Sequence, residues 1–109
     1  MARLAFTLQI RAGMVDEYRR LHDSDNLWPS IADACRAAGM NNYTGFIGGP
    51  DGRTVFASFE ADDPMMALEK LGTTQANEDW QKHMAPFLES DLVSGVGFVQ
   101  FLEEVFHIG

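Results

Sequence analysis

Leu4, Phe6, Leu8 and Ile10 alternate with Ala5, Thr7, Gln9 and Arg11, a period of two that predicts a half-buried strand over residues 3–11. After Gly13 the period changes. Met14, Tyr18, Leu21 and His22 recur at helical spacing, which predicts a helix from Met14 to about His22. Asp23-Ser24-Asp25-Asn26 ends it, because these side chains compete for backbone hydrogen bonds. Pro29 suits the first turn of a second helical piece carrying Ile31, Ala34, Cys35 and Ala38, and Gly39 closes that piece. Asn42 to Ile47 and Arg53 to Glu60 read as strands joined by the hairpin signal Gly48-Gly49-Pro50-Asp51-Gly52. Asp62 or Asp63 is placed to cap a helix that starts at Pro64 and runs through Met65, Met66, Leu68 and Leu71 to Gly72. Thr73 or Thr74 is placed to cap the next, which carries Ala76, Trp80, His83, Met84 and Phe87. Residues 90–97, rich in Gly, Ser and Val, are expected to be a loop. Phe98 to Ile108 reads as a long closing strand with polar interruptions at Gln100, Glu103, Glu104 and His107.

The resulting order β-α-β-β-α-β is that of a ferredoxin-like α+β sandwich with an antiparallel sheet, one domain over residues 1–109. Helices cover one face of such a sheet. Here both strand faces carry large apolar groups, Val55 and Phe56, Phe101 and Phe106. One helical layer cannot cover both, so a homodimer is expected, sheet against sheet, as a dimeric α+β barrel.

Composition narrows the function. A hydrophobic share of 46% supports a real core in 109 residues. Sixteen acidic against eight basic residues give a net charge of −8. An acidic surface repels phosphate backbones, which argues against nucleic acid as a partner and favours a neutral or cationic small molecule. No apolar run approaches a membrane span and the N-terminus lacks a signal-type core, so no membrane association and a cytoplasmic location are expected. Cys35 is the only cysteine, which excludes an intrachain disulfide and agrees with a reducing compartment; its helical setting reads as a small buried thiol.

The chain contains no P-loop, GxGxxG, GxSxG or HExxH, and no histidine pair has a recognised metal-ligand spacing, so neither metal nor cofactor is expected. The candidate chemistry lies in Tyr18 and His22, one helical turn apart, with Tyr43 at a strand's start and Trp80 on a later helix. Histidine titrates near neutrality, so an imidazole beside a phenol can move protons on a small neutral molecule. The bland alternative is a helix face packed on the sheet with its polar tips in water.

Taken in order, Phe6-x-x-Gln9, Glu17-Tyr18-x-x-x-His22, Trp28-Pro29, Gly39-x-x-Asn42-Tyr43, Phe56-Ala57-x-x-Glu60, Trp80-x-x-x-Met84 and Glu104-Val105-Phe106 resemble the L-rhamnose mutarotase family along nearly the whole chain. The resemblance implies a homodimer acting on the anomeric centre of L-rhamnose without a cofactor. It implies that His22 is the proton donor and that Tyr18 and Tyr43 bind the sugar. Trp80 matches the first of two adjacent tryptophans lining the sugar pocket. The second is Gln81 here, and the loop Asp23–Leu27 looks two residues longer than the family's. Both departures fall at the pocket and bear on which sugar is accepted. A glutamine hydrogen-bonds a hydroxyl where an indole would stack, and Trp80, Met84 or Trp28 would meet the methyl end of a 6-deoxy sugar. Two other classes fit the same scaffold: a cofactor-free monooxygenase of aromatic substrates, and a non-catalytic small-molecule-binding module.

Overall fold

In the computed structural model, residues 1–89 and 100–109 are described. Among them β1 (Ala2–Gln9) is followed by α1 (Val15–Leu21), α2 (Pro29–Ala37), β2 (Asn41–Gly48), β3 (Thr54–Ala61), α3 (Pro64–Gly72), α4 (Gln75–Met84) and β4 (Gln100–Leu102). The sheet runs β2-β3-β1-β4 with every neighbour antiparallel. This is the ferredoxin-like α+β arrangement.

Register fixes which side chains share a face. Leu4, Phe6 and Leu8 lie opposite Phe59, Ala57 and Val55, and Gly45 and Ile47 lie opposite Ala57 and Val55 on the other side of β3. This face meets the helices: Phe6, Val55, Ala57 and Phe59 join Leu21, Ile31, Leu71, Trp80 and Met84 in the buried core. On the opposite face Phe46 lies beside Phe56, which lies beside Thr7. No described helix covers that side, and Phe46 is 66% exposed and Phe56 39%.

Local chemistry sets the element ends. Asp63 accepts the Met66 N–H and Thr74 Oγ accepts the Asn77 N–H, both at 3.2 Å, so each helix of the second pair has a side-chain cap. The Asp23 carboxylate accepts the backbone N–H groups of Asp25 and Asn26, at 2.9 and 3.0 Å, and so prevents α1 from continuing. In the hairpin, Gly49 has φ +88, and a Cβ there would sit 2.7 Å from Thr54 Oγ1, so glycine is required on both backbone and steric grounds.

The closing strand differs from the pattern's expectation. Residues 98 and 99 lie outside the described residues, as does the expected loop at 90–97. Beyond them only Gln100–Leu102 pair, with Thr7, Phe6 and Ala5. From Glu103 onward the chain leaves the sheet, tied back by an Arg3–Glu104 ion pair at 3.0 Å and an Arg3–His107 contact at 3.3 Å. Alternation marks which residues suit a strand, but pairing with β1 stops at Ala5 although β1 itself starts at Ala2. Val105, Phe106 and Ile108 are therefore left 83%, 78% and 85% exposed.

Candidate functional site

The last turn of α1 brings a phenol and an imidazole together. Tyr18 and His22 stack with ring centroids 4.2 Å apart and planes 24° from parallel. His22 is the C-terminal cap residue of α1, and its Nδ1 lies 2.8 Å from the Tyr18 carbonyl oxygen. A carbonyl only accepts, so Nδ1 carries the hydrogen and donates it. The neutral ring therefore presents an unprotonated Nε2. Trp80 meets His22 edge-on at 5.4 Å, and Trp28 meets Trp80 edge-on at 5.1 Å while stacking on His83 at 4.7 Å. This aromatic packing fixes the imidazole plane.

Tyr43 arrives from the sheet by a backbone irregularity. Asn41 pairs with Glu60 and Thr44 with Ser58, so three steps on β2 match two on β3. Asn42 takes φ +51, a left-handed conformation that asparagine tolerates well. The bulge places both Asn42 and Tyr43 at the level of Phe59, on the helix side of the sheet. Tyr43 packs against Phe6 and Phe59 at centroid distances of 6.2 and 5.6 Å.

These groups line one cavity of about 760 Å³, within the usual range for small-molecule sites. All five residues singled out from the sequence, Tyr18, His22, Tyr43, Trp80 and Gln81, contribute to its wall. Trp28 and Met84 do not: Trp28 backs Trp80, and Met84 is buried in the core. Cys35 is half-buried and lines the cavity, where the sequence suggested plain burial. Asn42, Asn77, Arg19 and Asp23 also reach the wall and were not singled out. For Asn77 the signal was available, since positions 77, 80 and 81 share one helical face.

Burial shapes the titrations. Desolvation by the surrounding aromatic groups lowers the His22 pKa below its usual value, although part of the residue's surface stays open. The Tyr18 carbonyl opposes the shift and His83 adds to it. Burial pushes Tyr18 up to about 12. Tyr43 keeps 47% of its surface open, so solvent reaches it, yet the protein packed around its phenol raises its pKa, helped by Cys35 and Tyr18. At neutral pH the cavity thus offers a proton-accepting imidazole nitrogen beside two phenols that stay protonated.

A family model for L-rhamnose mutarotase matches residues 3–108. The chain belongs to the L-rhamnose mutarotase family. An L-rhamnose mutarotase of Listeria monocytogenes is 32% identical over 108 residues, covering 99% of each chain. The crystal structure of an L-rhamnose mutarotase from Formosa agariphila superposes with a TM-score of 0.81 at 24% identity over the whole of both chains. An antibiotic biosynthesis monooxygenase follows at a TM-score of 0.62 and 16% identity, covering 96% of this chain and 99% of that one. At those identities the two solved structures establish a shared fold. Family membership makes the chain an enzyme, an isomerase of the aldose mutarotase kind.

Proposed function

We propose that this protein interconverts the α and β anomers of L-rhamnose, or of a closely related 6-deoxyhexose, by acid–base ring opening centred on His22. The observation that carries the reading is the stacked Tyr18–His22 pair on the cavity wall, its Nδ1 tied to the backbone so that Nε2 is the nitrogen available for chemistry.

Anomer exchange needs a proton removed from the anomeric hydroxyl and one delivered to the ring oxygen as the bond between that oxygen and C1 breaks. Both oxygens are carried by C1, so one imidazole nitrogen can serve both. His22 Nε2 takes the hydroxyl proton and, as imidazolium, gives it to the departing ring oxygen. The open aldehyde turns about the C1–C2 bond, and the same steps in reverse close the other anomer. Tyr18 and Tyr43 remain protonated and donate hydrogen bonds to oxygens on which negative charge develops. Trp80 supplies apolar surface for the carbon face of the sugar. General acid–base assistance of this kind contributes about 10²–10⁴-fold. No step needs a cofactor or metal.

The bare sheet face with Phe46 and Phe56, together with the apolar tail, supports a homodimer that covers them. No described helix is long and apolar enough to cross a membrane. The likeness to the monooxygenase is one of fold and brings no substrate with it.

NMR saturation transfer between anomers of L-rhamnose tests the reading. Exchange should rise in proportion to enzyme added. Unchanged exchange at high enzyme concentration, for L-rhamnose and every other 6-deoxyhexose tried, contradicts it.

A further inference from the structure

The part of the cavity wall supplied by α4 is built from Asn77, Trp80 and Gln81. Gln81 Nε2 donates to Asn77 Oδ1 at 3.3 Å, a long bond for this pair of atoms. That contact leaves Gln81 Oε1 and the Asn77 NH2 group without a side-chain partner among the described residues. Both amides are half-buried on the cavity side. The ion pair Glu78–Lys82, also one turn apart, lies on the exposed side of the same helix.

Two amides joined in this way on an open surface would be an ordinary helix staple worth about 0.2–0.5 kcal/mol. A staple has no need to face a cavity. Amide groups there lose part of their hydration, and capacity left unmatched costs free energy. A ligand hydroxyl matches it, because one O–H group both donates and accepts. It can donate to Gln81 Oε1 while accepting from the Asn77 NH2 group. A methyl or C–H edge supplies neither.

We infer that Asn77 and Gln81 act together as the hydroxyl-reading, specificity-determining pair of the cavity, holding one ring hydroxyl of the sugar beside the Trp80 indole. This rests on the sugar-isomerase reading above and goes beyond it in saying how the sugar is selected. A site built to hydrogen-bond a hydroxyl discriminates against the analogue that lacks it more strongly than an apolar wall does.

The test compares anomer exchange of L-rhamnose with that of its three mono-deoxy analogues, lacking the 2-, 3- or 4-hydroxyl, in wild type, Gln81→Leu and Asn77→Ala. Thermal unfolding confirms that each variant is folded, and Gln81→Met replaces Gln81→Leu if the latter is not. In wild type, kcat/KM for one analogue should fall about tenfold below that for L-rhamnose, the scale of one hydrogen bond. In both variants that ratio should shrink to about threefold or less, because L-rhamnose itself loses the contact. The change should appear mainly in KM. A deoxy penalty that persists undiminished in both folded variants overturns the inference, as does the absence of any penalised analogue in wild type. In either case turnover of L-rhamnose would stand. If wild type exchanges no 6-deoxyhexose at all, the isomerase reading itself fails and takes this one with it.

Discussion

His22 gives one nitrogen to the Tyr18 carbonyl and offers the other to the cavity, an arrangement that ties its protonation state to activity. Its pKa lies below the usual value, chiefly through desolvation, so the neutral, proton-accepting form predominates at pH 7. Protonation on acidification removes the Nε2 lone pair. kcat/KM should therefore fall as pH drops through an apparent pKa lower than 6.5 and be level across neutrality. The phenols impose no alkaline fall until far higher pH, since Tyr18 is raised to about 12 and Tyr43 is raised too. A pH–rate profile for anomer exchange checks this, and a rate that climbs on acidification would contradict it. That Tyr18 and His22 share a face was legible from their helical spacing. The tautomer was not, because it depends on a backbone oxygen whose direction is set only when α1 ends at His22. The reach of Tyr43 was legible only in part: strand alternation alone puts it on the Ile47 face, but the bulge that delivers both Asn42 and Tyr43 leaves no mark in the hydrophobic pattern.

At the level of the element, α4 owes its start to a single hydroxyl. Thr74 Oγ accepts the Asn77 N–H at 3.2 Å, and Asn77, Trp80 and Gln81 follow within two turns. Thr74→Ala should lower the unfolding free energy by about 1 kcal/mol. In urea this would appear as a lower midpoint with an unchanged slope. A midpoint equal to wild type would show that packing of Trp80 and Met84, rather than the cap, holds the helix start. The caps, the hairpin glycines and the proline starts all have short-range chemical causes, which is why the positions of α2, α3, α4 and the β2–β3 turn could be read from neighbouring residues. The closing strand could not. Its pattern suits a strand, but nothing in the segment's own residues marks where its pairing with β1 ends.

For the whole molecule, the open face of the sheet is the largest unmet demand. Phe46 and Phe56 sit side by side on it, and Val105, Phe106 and Ile108 project from the tail. Apolar groups exposed in this way are stabilised when a second copy covers them, at about 25 cal/mol per Å² of apolar area removed from water. Sedimentation velocity at micromolar concentration should give twice the chain mass. Phe46→Asp should shift the distribution toward monomer by placing a charge where the partner would pack. A monomeric wild type at these concentrations would mean that the face is solvated in the working enzyme. Two-faced apolarity was readable in the strands, because the successive residues Val55 and Phe56 of β3 point to opposite faces. That is why the sequence led to the expectation of a second copy packed sheet against sheet.

The role of His22 Nε2 as the proton carrier is tested most directly by saturation transfer between the anomers of L-rhamnose in wild type and in His22→Ala. The variant should remain folded and lose about 10²–10⁴-fold in anomer exchange, the range expected for general acid–base assistance. A folded His22→Ala protein that exchanges anomers at the wild-type rate would remove the imidazole from the chemistry and contradict the mechanism built on it.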